Sequence, residues 1–278
     1  MIEIRDLHFG YGRKKPLYRG LTLDFNPGHI YGLLGRNGAG KSTLLKTMAG
    51  LLSPQKGAVT VGGRVPAKRQ PSFLQRFVLI PEEVYVPAVG VERFLHIFSP
   101  FYPRFDREQF RRFLSVLEVE DHGRLNELSF GQQKKFIIAF SLACNPDVLL
   151  MDEPTNGLDI PSKGQFRKLI SSVFDDSRIM VISTHQVRDL ENLIDRVVIV
   201  ESGEKLLDAS MDEVSEKLSF STVNDLGDSE GYLYAEQSLD GYRIVTPKIP
   251  GMDSKISLEA LFNAVTLAPG RTRRIFKK

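Results

Sequence analysis

The spacing of apolar residues changes several times along the chain, and each change marks a different kind of element. Over residues 2–34, short runs, Ile2 to Phe9, Leu21 to Phe25 and Ile30 to Leu34, are separated by glycine, proline and basic residues. That predicts strands joined by tight turns. Ala58 to Val61, entered through Pro54-Gln55-Lys56-Gly57, and Phe77 to Ile80, which ends at Pro81-Glu82-Glu83, read as two more strands. From Gly90 to Leu117 the spacing becomes helical, with Phe94, Leu95 and Phe98, then Phe110, Phe113, Leu114 and Leu117. Pro100 and Pro103 part these helices. A further helical stripe, Phe136, Ile137, Phe140, Ala143 and Cys144, stops at Asn145-Pro146.

Val148 to Met151 is continuously apolar, as expected of a parallel strand covered on both faces, and Arg178 to Ser183 reads as another buried strand. A helix from about Ser162 to Phe174 lies between them, and Val197 to Val200 with Lys205 to Asp208 forms a hairpin about Ser202-Gly203. Past about Ser219 the sequence turns polar and glycine-punctuated. Two strands, Tyr232 to Glu236 and Tyr242 to Val245, and a helix, Ser257 to Val265, make a small α/β appendage there. The basic tail Arg271 to Lys278 reads as a solvated chain end, with contact to anionic lipid the less favoured alternative.

Composition narrows the class. The chain has 278 residues, enough for one large domain or a domain with an appendage, and 42% hydrophobic and 26% charged residues are ordinary for a globular protein. A net charge of +3 is small for this length, so no nucleic-acid partner is expected. The single cysteine, Cys144, excludes an intrachain disulfide and reads as a packed core thiol. No apolar segment reaches the roughly 18 to 20 residues that a membrane helix needs. Met1-Ile2-Glu3-Ile4-Arg5-Asp6 lacks the layout of a signal peptide, so the expected location is cytoplasmic.

The chemistry centres on Gly35-Arg36-Asn37-Gly38-Ala39-Gly40-Lys41-Ser42-Thr43, which fits the Walker A pattern between a predicted strand and a predicted helix. A phosphate tail is dense negative charge. Holding it takes several backbone N–H groups in one concavity with no side chains in the way, and glycines at 35, 38 and 40 supply that. The following helix N-terminus adds donors and the positive end of its dipole. Lys41 is placed to reach the β- and γ-phosphates, and Ser42 to ligate Mg²⁺.

Asp152-Glu153 follows the buried run Val148 to Met151. Ligands bind at the carboxyl ends of strands in open α/β sheets, which puts this pair beside the phosphate loop if the two strands are neighbours. Asp152 is then a candidate Mg²⁺ ligand and Glu153 a candidate base for the attacking water. Thr184-His185 ends the next strand, where an imidazole can hydrogen-bond a γ-phosphate. Tyr11, in the flexible tip Phe9-Gly10-Tyr11-Gly12, offers a face on which adenine can stack. Ser129 with Gln132 three residues later reads as a capping box, which alone explains both residues.

Taken together, Tyr11, the Walker A loop, Leu128-Ser129-Phe130-Gly131-Gln132, Asp152-Glu153, Gly157-Leu158-Asp159 and His185 resemble the ATP-binding cassette family in order and spacing. The resemblance covers roughly residues 1–218. It implies an α/β fold of the P-loop NTPase type, with a mainly parallel sheet, an N-terminal antiparallel β subdomain and a helical subdomain inserted at about 86–127. The small α/β appendage, 219–278, stands outside the resemblance.

The resemblance implies ATP hydrolysis by two subunits that sandwich two ATP molecules head to tail. Tyr11 and residues 35–43 then hold ATP in one subunit, with Ser42, Asp152 and Glu82 serving Mg²⁺. Glu153 is the base and His185 the switch histidine. Ser129, Gly131 and Gln132 contact the γ-phosphate held by the other subunit, and Asp159 links the two sites. The partners implied are a second cassette, identical or different, and a separate integral membrane permease, which places the chain on the inner face of the cell membrane. Phe101 to Asp106 is similar to exporter cassettes and favours export. A cassette ATPase without a transport role, such as a metal-cluster assembly ATPase, is the alternative.

Two positions depart from the family pattern. Glu82 stands where glutamine is usual, adding negative charge near the γ-phosphate, and Phe130 replaces the signature's first glycine.

Overall fold

The computed structural model describes residues 1–12, 16–120, 123–226, 231–252 and 254–277. The chain begins with β1 (Ile2–Phe9), β2 (Tyr18–Phe25), β3 (His29–Leu34), α1 (Lys41–Met48) and β4 (Lys56–Val61). β1 lies between β2 and β4 in an antiparallel sheet. The chain continues through α2 (Pro71–Leu74), β5 (Phe77–Ile80), α3 (Val91–Phe98), α4 (Arg107–Val116), α5 (Phe130–Ala143) and β6 (Val148–Asp152). Then come α6 (Ile160–Val173), β7 (Ile179–Thr184), β8 (Arg196–Glu201) and β9 (Glu204–Ser210).

The central sheet is ordered β5-β6-β7-β3-β8-β9, parallel except where β9 pairs back on β8. The acidic strand β6 and the strand feeding the glycine loop, β3, are therefore not neighbours. β7 runs between them. The condition under which the sequence brings Asp152-Glu153 to the loop fails in its simple form, and the strand carrying Thr184-His185 occupies the intervening place.

Side chains alternate across a strand, so each central strand feeds two cores. Tyr31, Leu33, Leu150, Val181 and Val198 pack with Leu44 and Leu45 of α1 and with the N-terminal sheet. Ile30, Leu149, Met151, Ile182 and Ile199 face the other way, onto Phe136, Phe166 and Ile170 of α5 and α6. This double cover explains the unbroken apolar runs.

The helices α3, α4 and α5 meet through aromatic rings. Phe94 lies edge-on to Phe136 at 5.0 Å and to Phe140 at 5.1 Å, and Phe110 lies edge-on to Phe136 at 5.7 Å. Each such pair contributes about 0.5–1.5 kcal/mol beyond its burial.

The C-terminal part comprises α7 (Met211–Lys217), β10 (Leu218–Val223), β11 (Tyr234–Ser238), β12 (Gly241–Pro247), α8 (Leu258–Leu267) and α9 (Pro269–Phe276). Its three strands form an antiparallel sheet ordered β10-β12-β11. α8 buries Leu258, Leu261, Ala264 and Val265, and Arg188 of the 3-10 turn Val187–Leu190 reaches Glu259 of α8 at 2.6 Å.

Two expectations change here. β10 is a strand that the polar character of the sequence hides, although Leu218, Ser219 and Phe220 are buried. The tail is helical rather than a solvated end: Thr272 is buried and bonds Ala268 O, while Arg273 reaches Glu204 of β9 at 2.9 Å. Lys278 lies outside the described residues.

Candidate functional site

β3 delivers the glycine loop into α1 through Gly40, which has φ 105° and precedes the first helical residue, Lys41. The Tyr18 hydroxyl donates to Gly40 O, and a Cβ on residue 40 would fall 2.3 Å from that hydroxyl. Backbone sign and packing both require glycine here. Gly35 answers a different demand, since a Cβ there would fall 2.5 Å from Val200 O.

Lys41 is nearly buried. Its Nζ donates to Gly35 O at 2.8 Å and lies 3.9 Å from Glu153 Oε1. Burial holds its pKa below the usual lysine range, against the opposing pull of Glu153, Asp152, Glu201 and Glu82.

The glycine loop forms one wall of a cleft of about 490 Å³, through Arg36, Asn37, Gly38, Gly40, Lys41, Ser42 and Thr43. Tyr11, Glu82, Glu153 and His185 line the remainder, with Leu17. Ala39 is buried beneath the loop, against Gly35. Tyr11 is 54% exposed, its ring edge-on to Phe9 at 5.0 Å and its hydroxyl 3.0 Å from Thr43 Oγ1. The ring is thus fixed at the cleft mouth while a large part of it stays open to a planar ligand.

Asp152 and Glu153 are both buried. Ser183 of the intervening strand donates its hydroxyl to Asp152 Oδ1. Glu153 has φ 45°, uncommon for a residue with a side chain, and its backbone N–H bonds Ser183 O at 3.0 Å. Its carboxylate is held on both oxygens. Thr184 Oγ1 donates to Oε2 at 2.8 Å, and His185 donates to Oε1 from its backbone N–H at 2.9 Å and from Nδ1 at 2.7 Å. A carboxylate offers only acceptor oxygens, so the last contact puts a proton on Nδ1.

The other predicted residues lie outside this cleft. Ser129 caps α5, its Oγ accepting from Gln132 N at 3.3 Å. Only that half of the capping box forms. The Gln132 side chain turns away to donate to Glu118 O at 3.1 Å, and its Oε1 is buried without a hydrogen-bond partner among the described residues. Gly131 approaches Gly157 so closely that a Cβ would meet Gly157 O at 3.1 Å. Asp159 caps α6 by accepting from Ser162 N at 2.9 Å, and bonding to Ser162 holds its carboxyl below the usual range.

Sequence reasoning missed Lys134, Asn156 and Asp189. Asn156 donates to Glu82 Oε1 at 3.0 Å, tying the turn before α6 to the segment after β5. Asp189 accepts from Thr155 Oγ1 at 2.7 Å and pairs with Lys163 at 2.8 Å, joining that same turn to the segment after His185. Lys134 is fully buried. The only signal in the sequence is a lysine at a position of α5 that the apolar stripe turns inward.

A parallel sheet, a glycine loop feeding a helix N-terminus and an acidic strand end facing the loop together define a P-loop nucleotide-binding protein. The ABC transporter family model matches residues 18–156, and the chain belongs to that family.

The chain is 28% identical over 269 residues to the linearmycin resistance ATP-binding protein LnrL of Bacillus subtilis, covering 94% of this chain and 86% of the relative. It is 32% identical over 217 residues to the high-affinity zinc uptake system ATP-binding protein ZnuC of Bacillus subtilis, covering 74% of this chain and 93% of the relative. Among solved structures, a dimeric ATP-binding cassette in a post-hydrolysis state with ADP and phosphate superposes with a TM-score of 0.67 at 21% identity, over 76% of this chain and 99% of that one. Among the described residues no helix is long and apolar enough to cross a membrane.

Proposed function

We propose that the chain is the ATP-binding and ATP-hydrolysing subunit of an ABC transporter, acting on a separate membrane permease through closure of a cassette dimer. The observation that carries the reading is the convergence of Lys41, Glu153 and His185 on the cleft walled by the glycine loop. ATP fits this cleft in sequence order: adenine on Tyr11, phosphates on the backbone N–H groups of residues 35–43, and the terminal phosphates near Lys41.

The Ser42 hydroxyl and the Asp152 carboxylate are hard oxygen donors of the kind Mg²⁺ takes. Among the described residues no group of three or more His, Cys, Asp or Glu side chains could hold a metal. The donor set therefore suits a cation that arrives with phosphate oxygens as further ligands. Bound there, Mg²⁺ would neutralise charge on the phosphates, with Glu82 as a further oxygen donor at the cleft wall.

Glu153 is the base in this reading, and it is restrained. Oε1 already accepts two hydrogen bonds, both from His185, so His185 must yield before that oxygen can take a proton from water, while Oε2 accepts only one, from Thr184, and keeps a lone pair. A γ-phosphate offers His185 a competing acceptor. Ser129, Gly131, Gln132 and Asp159 are assigned to the site of the opposite subunit, because they lie outside their own chain's cleft while the capped end of α5 is an anion site. The work available is the difference in ATP affinity between open and closed dimers.

Export is the proposed direction, on the likeness of Phe101 to Asp106 to exporter cassettes. The reading without a transport role finds no support among the relatives above. Reconstitution tests the proposal: the chain purified with its permease from membranes is expected to hydrolyse ATP, and recovery of the active chain without any polytopic subunit would contradict it.

A further inference from the structure

The Nζ of Lys134 donates to three carbonyls, Glu153 O at 2.7 Å, Glu82 O at 3.1 Å and Asn156 O at 3.1 Å. A lysine ammonium has three donors, and all three are used. The acceptors come from two segments: Glu82 from the one leaving β5, and Glu153 and Asn156 from the turn that joins β6 to α6. Lys134 itself stands on α5, the helix that Ser129 caps, so one side chain fastens that helix to the segments carrying the cleft carboxylates.

The side chain is 0% exposed. Taking an ammonium out of water costs several kcal/mol unless it is well paired, and the carbonyls alone carry no net charge. Burial holds the Lys134 pKa below the usual lysine range, against the opposing pull of Glu82, Glu153 and Asp152. Glu82 in turn is fixed by Asn156, whose own carbonyl Lys134 holds. The Phe130 ring, 48% exposed, lies 5.8 Å from Nζ and also packs on Gly157. The cleft therefore sets two lining carboxylates, Glu82 and Glu153, against two buried ammonium groups, Lys41 at its floor and Lys134 behind its wall.

We propose that Lys134 is a positioning residue for hydrolysis, pinning the backbones of Glu82, Glu153 and Asn156 to the head of α5 and offsetting the carboxylate of Glu82. The inference rests on the ATPase reading for its kinetic consequence, though not for the pairing itself. Loss of the ammonium leaves Glu82 uncompensated and frees the Glu153 backbone, which lowers turnover more than ATP binding. Removing the Glu82 charge as well relieves the first of these effects.

Steady-state ATPase assays on the full chain, wild type, Lys134→Gln, Glu82→Gln and the double variant test this. Lys134→Gln is expected to lower kcat at least tenfold with KM for ATP within threefold, and the loss that it causes on the Glu82→Gln background to be at least threefold smaller. An unchanged kcat in Lys134→Gln, or the same loss on both backgrounds, overturns the proposal. Should Lys134→Gln fail to fold, the double variant carries the test: it is expected to be soluble and active, and its failure to fold also overturns the proposal. Urea unfolding of the same four proteins separates this inference from the ATPase reading. If the wild type proves inactive, Lys134→Gln is still expected to lower the unfolding midpoint and Glu82→Gln to restore part of it, whereas additive shifts contradict the pairing.

Discussion

Glu153 and His185 are bound to each other twice, both His185 N and His185 Nδ1 donating to Glu153 Oε1, at 2.9 and 2.7 Å. The residue proposed to report the γ-phosphate thus covers an oxygen of the residue proposed to activate water. In the proposed mechanism, a phosphate that draws His185 away also frees Glu153 Oε1 for water, one exchange of hydrogen-bond partners.

That exchange predicts a separation between two variants. Glu153→Gln removes the base while keeping the size of the side chain, so kcat is expected to fall about 10²–10⁴-fold, the usual worth of general base catalysis, with ATP binding preserved. His185→Ala keeps the base and removes the sensor, so its kcat is expected to fall less. Single-turnover assays with equilibrium nucleotide binding check both, and an active Glu153→Gln would reassign the base.

Lys41→Ala should act on binding. The Lys41 ammonium is placed to meet phosphate, and a hydrogen bond to a charged group is worth about 1.5–3 kcal/mol. The dissociation constant for ATP is therefore expected to rise roughly tenfold to a hundredfold, with turnover abolished. Titration with a fluorescent ATP analogue measures it.

Cys144 supplies a test of the core. The thiol is fully buried at the end of α5, and burial pushes its pKa up. A raised thiol pKa means that the folded chain keeps a proton that the unfolded chain gives up, so this group favours unfolding as pH rises above the ordinary thiol value. Iodoacetamide at mildly alkaline pH is expected to leave the native protein unmodified and to label one site per chain in guanidinium. Mass spectrometry gives the count.

The aromatic cluster predicts a stability effect without a local chemical one. Phe136 is fully buried and meets Phe94 and Phe110 edge-on. Phe136→Ala is expected to cost about 3–5 kcal/mol, measured by urea unfolding.

Much of the fold is legible in the sequence, because parallel strands covered on both faces leave unbroken apolar runs such as Val148 to Met151. The glycine loop is legible for a different reason: a phosphate cradle admits few residue types. Strand order is not, since it depends on pairings between segments far apart in the chain. The placing of β7 between β6 and β3 is that kind of fact. Lys134 is hidden because a lysine in a helical stripe reads as a solvated position, and only the converging carbonyls show why it is inside. The tail is hidden because its helix is held by tertiary contacts, among them Arg273 with Glu204, rather than by an apolar period of its own.

The central claim is that two chains close around ATP, each completing the other's site with the capped end of α5. Sedimentation of Glu153→Gln with and without ATP and Mg²⁺ tests this most directly. The account predicts a shift to twice the chain mass with nucleotide, abolished by adding Lys41→Ala. A Glu153→Gln protein that binds ATP and sediments as a single chain at every concentration would contradict it.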